Sequence, residues 1–291
     1  MLTNTETKAT GKKWQENKST YLTGLLFNGK QIPKISVVIP TLNEEKNLAH
    51  VLPKIQEWVD EVVLVDGYSS DQTVNVAREL CPTIRVVMQE GRGKGAALRT
   101  GFAAATGDII VMMDADGSTD PSEIPLFIGA LLAGADFAKG SRFLQGGGTH
   151  DMPLHRQLGN LGFVWMVRLI FGGKYTDLCY GYNAFWKRVL PLLDLDCSGF
   201  EVETMMNVRA LKAGLQITEV PSFEFARVFG KGRLKAIPDG WRVLKTIFNE
   251  AVRRGEGMIF IPVTGGRQRL ADSVLETETV PDVDGEEKDI P

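Results

Sequence analysis

The stretch GRGKGAALRTGFAAATGDIIVMMDADG, residues 91–117, joins a helical segment to an apolar strand that ends in two aspartates. Residues 94–105 have the composition of a helix, and residues 108–113 are apolar after Asp108, which is typical of a strand buried on both faces. Similar strands precede it at 35–39, 61–65 and 84–88, with helical segments between them at 44–57 and 71–80. This alternation predicts an α/β domain built on a mostly parallel sheet with helices on both faces.

The second half of the chain has a less regular pattern. Its spacing predicts helices at 121–133, 154–171, 201–213 and 238–254, and short strands near 136–140, 179–186 and 216–220. Pro53 should kink or divide the helix at 44–57. We therefore expect a polar arm at 1–33, one α/β domain at 34–235, an amphipathic helix at 236–256 and a disordered acidic tail at 257–291.

Composition excludes several classes of protein. The 291 residues carry a net charge of −3, and residues 272–291 hold eight acidic residues and one Lys. A nearly neutral body with an acidic tail lacks the basic stripe of a nucleic-acid binder. Cys81, Cys179 and Cys197 have no CxxC spacing, which favours a reduced, cytosolic chain. No secretory signal is recognisable, and the longest apolar run, residues 161–171, is too short to span a bilayer.

Polar residues follow three of the predicted strands, at 40–44, 66–71 and 114–117. Ligands bind outside the carboxyl ends of the strands in such sheets, so these segments should converge on one site. Asp114 and Asp116 would place two like charges at the end of a buried strand, which is costly without a cation. Mg²⁺ or Mn²⁺ would suit the carboxylate oxygens. A strand-end turn, with Asp120 capping the next helix, is the alternative.

Several motifs together resemble glycosyltransferase family 2, whose members have the GT-A fold, a Rossmann-like, mostly parallel sheet. The resemblance covers residues 34–250 and is closest to the polyprenyl-phosphate sugar synthases, of the dolichyl-phosphate mannose synthase kind. It is carried by the segments VVIPTLNEE at 37–45, VLVDGYSSDQT at 63–73, the stretch 91–117, KGSR at 139–142, RQLGN at 156–160, TDLCYG at 176–181 and GFEVE at 199–203.

The resemblance implies a site for a nucleotide sugar, with either UDP or GDP as its nucleotide. It assigns the base and ribose to the first loop and to an acidic residue, and the diphosphate and metal to the DAD motif. The implied donor residues are Pro40, Leu42, Glu44, Asp66, Lys94, Arg99, Asp114, Ala115 and Asp116, with Asp114 and Asp116 as metal ligands. The family usually has a second aspartate after the equivalent of Asp66, where this chain has Gly67 and Tyr68.

The resemblance also implies an acceptor site, formed by Arg142, Arg156 and Asn160. A polyprenyl phosphate is largely dianionic near neutral pH and needs little help from a general base. A hydroxyl acceptor would need one, and Glu203 is then the candidate. The alternative is that Glu201 and Glu203 only stabilise a helix start. Asp116, Glu203 and Arg142 are the predicted catalytic residues.

We therefore expect an inverting, metal-dependent hexosyltransferase acting on a polyprenyl phosphate. It would be cytoplasmic, and a lipid acceptor could be reached either by peripheral contact with the cytoplasmic face of a membrane or through a membrane partner. Transfer to a soluble hydroxyl is the first alternative. A sugar nucleotidyltransferase would carry a glycine-rich signature directly after the first strand, where this chain has residues 40–44. A silent nucleotide-sugar binding protein is the last alternative. The sequence leaves the donor sugar and the formation of a homo-oligomer open.

Two further segments bear on the acceptor. Residues 161–171 are apolar around the helix, which predicts core packing first and contact with a membrane interface second. A stripe on the last helix, formed by Trp241, Leu244, Ile247, Phe248 and Ala251, has basic neighbours and fits an interface or a dimer contact. The glycine-rich segment 145–149 is either a lid or a plain surface loop.

Overall fold

The computed structural model describes residues 33–253. The predicted acidic tail, the end of the last predicted helix and the predicted N-terminal arm, apart from Pro33, lie outside this range. Within it, seven strands form one sheet: β1 (Ile35–Thr41), β2 (Glu61–Asp66), β3 (Arg85–Met88), β4 (Ile109–Met112), β5 (Phe137–Ser141), β7 (Asn183–Trp186) and β8 (Ile217–Pro221). A small second sheet pairs β6 (Gly148–Thr149) with β9 (Phe223–Glu224).

The strand order in the main sheet is β3-β2-β1-β4-β7-β5-β8. The first four strands are mutually parallel, and β7 runs antiparallel to both of its neighbours. This confirms the predicted mostly parallel sheet. In the register, Thr41 is paired with Asp66, so the ends of β1 and β2 lie side by side.

The described range contains eight α-helices, and most of them pack on the sheet. They are α1 (Glu45–Val51), α2 (Thr73–Leu80), α3 (Lys94–Ala104), α4 (Ile124–Leu132), α5 (Leu154–Phe171), α6 (Leu190–Leu193), α7 (Val202–Lys212) and α8 (Ala236–Val252). As predicted, Pro53 divides the helix of segment 44–57: α1 ends at Val51, and a 3₁₀ turn follows at Leu52–Lys54.

Hydrophobic layers lie on both faces of the sheet. Ile35, Val37 and Ile39 pack with residues of α1 and α4, whereas Val38 points to the opposite face and packs with α3 and α7. This division follows from the alternation of side chains along a strand. A third cluster joins α5, α7 and α8 through Val164, Val208, Val243 and Ile247, among others.

The two helices singled out for their apolar surface are only partly buried. On α5, Val164 and Val167 are buried, whereas Leu154, Leu158, Leu161, Trp165 and Leu169 are exposed. The prediction of core packing for 161–171 is therefore right for one face of the helix and wrong for the other. On α8, Ile247 is buried, while Ile237, Trp241, Phe248 and Val252 are exposed.

Candidate active site

A cavity of about 990 Å³ opens at the edge of the sheet where β1, β2 and β4 end. Its wall includes most of the residues predicted for donor and acceptor: Pro40, Leu42, Glu44, Lys94, Asp114, Ala115, Asp116, Arg142, Arg156, Asn160 and Glu203. Asp66 lies directly before Gly67, which is part of the wall. Arg99 is not part of the wall, so the structure does not bring it to the cavity with the other predicted donor residues.

Lys94 joins two carboxylates that come from different parts of the chain. Its Nζ atom lies 2.7 Å from Asp114 Oδ1 and 2.8 Å from Glu203 Oε1. Burial alone would lower the pKa of Lys94, but the charges of Asp114 and Glu203 outweigh it and hold the pKa above its usual 10.5. The ammonium is therefore a permanent cation that contacts both carboxylates.

The local backbone explains why Lys94 starts a helix at this point. Gly93 has a φ of 93°, and a Cβ atom there would lie 2.3 Å from the carbonyl oxygen of Ser198. Only glycine fits both conditions. The amide of Gly95 donates to the same carbonyl at 2.9 Å, which ties the start of α3 to the segment preceding α7. That contact brings Lys94 and Glu203 together.

Asp116 is held by Arg227, a residue that the sequence analysis missed. Arg227 Nη1 donates to Asp116 Oδ2 at 2.9 Å, and its Nη2 donates to both oxygens of Glu44. The other oxygen of Asp116, Oδ1, accepts from the Ser118 amide at 3.0 Å and the Ser118 hydroxyl at 2.6 Å. Arg227 lies in the loop after β9, and no sequence pattern marks this arginine as a neighbour of the DAD motif.

These contacts change the electrostatic argument for a metal. From the sequence alone, Asp114 and Asp116 were expected to need an external cation, but Lys94 and Arg227 supply two positive charges from the protein. Within the described range, no group of three or more His, Cys, Asp or Glu side chains could hold a metal ion by itself. A hard cation bound here would need further ligands from a substrate phosphate or water, as Mg²⁺ commonly does.

The carboxylate oxygens nevertheless fit a hard cation. The side chain of Asp114 is 31% exposed, and among the described contacts only Oδ1 is engaged. Its Oδ2 faces a space that the missing side chain of Gly181 leaves open, because a Cβ atom there would lie 3.0 Å from that oxygen. Asp114 and Asp116 would hold the ion together with the donor diphosphate, and Asp116 would first have to lose Arg227 from Oδ2.

Asp66 has the features of a ligand-binding carboxylate. It is 2% exposed, and its Oδ2 accepts from the Ser69 amide at 2.9 Å. Its Oδ1 is buried without a hydrogen-bond partner among the described residues. A buried carboxylate oxygen is costly to leave unpaired, so Oδ1 is a candidate acceptor for a ligand donor. An N–H group of a nucleobase would satisfy it.

The second aspartate of the family motif is missing, and Tyr68 does not replace its carboxylate. The Tyr68 side chain is exposed, and its φ is 65°. The later acidic residue, Asp71, is engaged in local structure instead. Its Oδ1 accepts from the amide and the hydroxyl of Thr73, and these bonds lower the pKa of Asp71 despite the opposing effect of burial. The carboxylate therefore supports the start of α2 rather than facing a ribose.

Arg142 and Arg156 have different environments. The Arg142 side chain is 1% exposed, and its guanidinium donates to Asp177 at 2.7 and 2.9 Å and to Glu224 at 3.1 Å. Every nitrogen of this guanidinium is engaged, which disfavours the predicted contact with an acceptor phosphate. Arg156 lines the cavity, is half-buried and has no acidic partner among the described residues.

Asn160 also has a structural partner. It is buried, and its Oδ1 accepts from the amides of Leu178 and Cys179, both at 3.1 Å. It thereby fixes the segment before Gly181. Although Asn160 is part of the cavity wall, these two bonds leave its side-chain NH₂ group as the only part that could face a ligand.

The glycine-rich segment is held in place on both sides. The amide of Gly148 donates to Ser222 and that of His150 to Glu224, and the hydroxyl of Thr149 donates to Glu224 at 2.6 Å. These bonds favour the plain loop over the lid. Of the two histidines near it, His150 packs on the ring of Phe223, and His155 lines the cavity.

The fold and the site define a class of protein: a glycosyltransferase of the GT-A type. The glucosyl-3-phosphoglycerate synthase of Mycobacterium tuberculosis, solved with Mn²⁺, UDP and glucosyl-3-phosphoglycerate, has a similar structure. The TM-score is 0.60 at 25% identity, and the match covers 76% of this chain and 80% of that one.

Sequence comparison then gives the family. Residues 36–197 match the model of glycosyl transferase family 2, and the chain belongs to that family. It is 32% identical over 225 residues to a dolichol-phosphate mannosyltransferase of Pyrococcus furiosus, covering 74% of this chain but only 61% of that protein. It is also 32% identical over 211 residues to a polyprenol monophosphomannose synthase of Mycolicibacterium smegmatis, covering 68% of this chain and 80% of the relative.

Proposed function

We propose that this chain transfers a hexose from a nucleoside-diphosphate sugar to the phosphate of a polyprenyl lipid, with inversion at the anomeric carbon. Family membership and the names of two relatives, a dolichol-phosphate mannosyltransferase and a polyprenol monophosphomannose synthase, support the class of reaction. The UDP and Mn²⁺ in the related M. tuberculosis enzyme support a nucleotide-sugar donor and a divalent cation.

The ion pairs of the cavity carboxylates favour a phosphate over a hydroxyl as the acceptor. Seven carboxylates line the cavity, and six of them form an ion pair with a Lys or Arg: Glu44, Asp114, Asp116, Glu203, Glu224 and Asp239. A carboxylate that is ion-paired has an oxygen already engaged by a cation, so that oxygen is less available to a substrate hydroxyl. Glu203, the predicted base for a hydroxyl acceptor, is bound to Lys94. A phosphate acceptor is already ionised and needs no such base.

Unpaired arginines supply the complementary charge. Arg92 and Arg156 line the cavity without an acidic partner among the described residues. Arg92 lies in the loop after β3, on the side of Asp66, whereas Arg156 lies at the start of α5. A guanidinium matches the geometry of phosphate oxygens. In this proposal Arg156 binds the acceptor phosphate, whereas Arg142 is engaged by Asp177 and Glu224.

The reaction follows from this arrangement. Asp66 binds the base of the donor, and its diphosphate lies near Asp114 and Asp116. A divalent cation there would neutralise charge on the leaving nucleoside diphosphate. An acceptor phosphate oxygen forms a bond to the anomeric carbon while the bond from that carbon to the diphosphate oxygen breaks. The products are a polyprenyl-phosphate sugar and a nucleoside diphosphate, and no proton has to move.

The exposed helix surfaces fit a lipid acceptor. Trp165 on α5 and Ile237 and Trp241 on α8 are exposed, and Phe163, Ile237 and Val243 line the cavity between these helices. No helix within residues 33–253 is both long and apolar enough to cross a membrane. We therefore propose that this end of the cavity lies against a membrane surface, where the polyprenyl chain remains in the lipid.

The test combines purified chain with vesicles containing polyprenyl phosphate and with radiolabelled UDP- and GDP-sugars in the presence of Mn²⁺. We expect label in the organic extract, and loss of that label with Arg156→Gln. Vesicles that contain the same lipid without its phosphate serve as the control. Label that stays in the aqueous phase with every donor would contradict the lipid acceptor.

Asp151 supports a second candidate, transfer to a soluble hydroxyl. It lines the cavity and is the one carboxylate there without an ion pair among the described residues. Its oxygens are therefore available to a substrate hydroxyl, whereas Oε1 of Glu203 is engaged by Lys94. Asp151→Asn should abolish transfer to a hydroxyl acceptor and leave transfer to a phosphate acceptor nearly unchanged.

A further inference from the structure

The loop that carries Arg227 crosses the donor end of the cavity. We call residues 225–235 the strap. In the strap, the amide of Phe225 donates to the carbonyl oxygen of Ser118 at 2.8 Å, and the amide of Val228 donates to that of Asp116 at 3.2 Å. Phe229 exchanges two hydrogen bonds with Asn47, at 2.9 and 3.2 Å. The strap is thus attached to α1 and to the loop after β4 through contacts that do not involve the Arg227 side chain.

The two aspartates of the DAD motif differ in how accessible they are to a cation. Asp114 has an oxygen, Oδ2, with no described partner, so an ion can reach it while Lys94 stays on Oδ1. Asp116 has none: Oδ1 is held by Ser118, and Oδ2 by Arg227 at 2.9 Å. The guanidinium already contacts Oδ2, so a metal ion that bound this oxygen would compete with it for the negative charge of Asp116.

Arg227 has further contacts besides the one to Asp116. Only Nη1 contacts Asp116, whereas Nη2 contacts Glu44 and Nε donates to the carbonyl oxygen of Phe229 at 2.6 Å. Release of Asp116 therefore requires the planar guanidinium to reorient, with Glu44 as its second acidic partner. The backbone bonds of the strap do not depend on the contact with Asp116.

We propose that Arg227 is an internal cation that occupies Asp116 when no metal is bound and that a divalent metal ion must displace it. Arg227 and the metal therefore compete for one carboxylate oxygen, and the metal binds weakly until the donor diphosphate compensates the charge. This inference rests on the proposed metal-assisted function and adds a residue that sets the metal affinity.

The test measures Mn²⁺ binding to the full-length protein without nucleotide, by the electron paramagnetic resonance signal of free Mn²⁺. Arg227→Gln removes the competing charge, and we expect it to bind Mn²⁺ about tenfold more tightly than the wild type. Arg233→Gln is the matched control. It lies on the same strap, but its guanidinium donates to the carbonyl oxygen of Leu42 at 2.7 Å and not to a carboxylate, so Mn²⁺ affinity should stay unchanged.

The outcomes separate the possible failures. Equal or weaker Mn²⁺ binding by Arg227→Gln would overturn the competition, and so would an equal gain in Arg233→Gln, because that gain would come from the net charge alone. Absence of Mn²⁺ binding in all variants would overturn it as well. Sugar transfer by the wild type is assayed separately. The competition between Arg227 and the metal and the proposed transferase activity can therefore be refuted independently of each other. Thermal melting of both variants checks that they are folded.

Discussion

The Nζ atom of Lys94 lies 2.8 Å from Oε1 of Glu203, a carboxylate that is buried at the start of α7. This contact ties α3 to α7 at the edge of the sheet where β4 ends. It also engages the glutamate that the sequence offered as a general base. We therefore expect the proposed acceptor chemistry to depend on this ion pair.

Substitution of Lys94 should destabilise the fold, because two carboxylates then lose their cation. Lys94→Met leaves Asp114 and the buried Glu203 without their cation, and we expect unfolding to become easier by about 3 kcal/mol. Because the pKa of Lys94 is raised in the folded protein, its contribution to the free energy of unfolding is fully present below pH 10.5, the ordinary pKa of the unfolded side chain. This contribution is lost only at higher pH. Urea unfolding at pH 7 measures the effect, and the double variant Lys94→Met with Glu203→Gln should recover most of it.

Substitution of Asp66 should weaken binding of the base and leave binding of the diphosphate intact. Asp66→Asn replaces an acceptor oxygen by an NH₂ group at the position where Oδ1 has no partner. We expect UDP or GDP, whichever binds, to lose about tenfold to a hundredfold in affinity. Calorimetry measures this, with inorganic pyrophosphate as the control ligand. An equal loss for pyrophosphate would contradict a role at the base.

Gly181 should be intolerant of even a methyl group. A Cβ atom there would lie 2.8 Å from Lys94 Nζ, 3.0 Å from Asp114 Oδ2 and 3.3 Å from Glu203 Oε1. Gly181→Ala should reduce sugar transfer at least about tenfold, because it displaces the groups around the proposed metal and diphosphate. Gly129→Ala is the control: it lies in α4 with no atom within 4 Å of the new Cβ, and it should stabilise by ~0.5–1 kcal/mol.

Arg142 and Arg156, which the sequence assigned to the acceptor site, should have different effects when they are substituted. Arg142→Gln leaves the fully buried Asp177 unpaired and should cost about 3–5 kcal/mol of stability. Arg156→Gln should change stability by less than about 0.5 kcal/mol and raise the KM for the acceptor. Thermal melting and steady-state kinetics measure the two effects. A large loss of stability in Arg156→Gln would show that its role is structural.

The cysteines should react at different rates. Burial, with a further contribution from Asp177, raises the pKa of Cys179 to about 12, and burial with nearby Glu201 does the same for Cys197. At pH 8 their thiolate populations should be about a thousandfold below that of a thiol with the ordinary value of 9.0. Iodoacetamide followed by mass spectrometry should therefore label Cys81 first. Because the unfolded thiols ionise at lower pH than the folded ones, stability should also fall as the pH rises above 9.

The elements of the fold were predictable because their signals are local. The strand at 61–65 is β2 with one added residue, and the helix at 154–171 has those same bounds in the structure. The pairing of β6 with β9 was not predictable, since these strands have two residues each and lie far apart in the chain. The short helix α6 was also missed, because four residues are too few to show a period.

By itself, the sequence determined that Asp66, Asp114 and Asp116 follow parallel strands and lie at one edge of the sheet, because strand patterns and the rules of parallel connection are local properties. Only the tertiary structure decided which charges these carboxylates contact. Lys94 comes to Glu203 through the packing of two helices, and Arg227 comes to Asp116 through the path of a loop. Ion pairs between distant segments depend on that path, which no periodicity in the chain records.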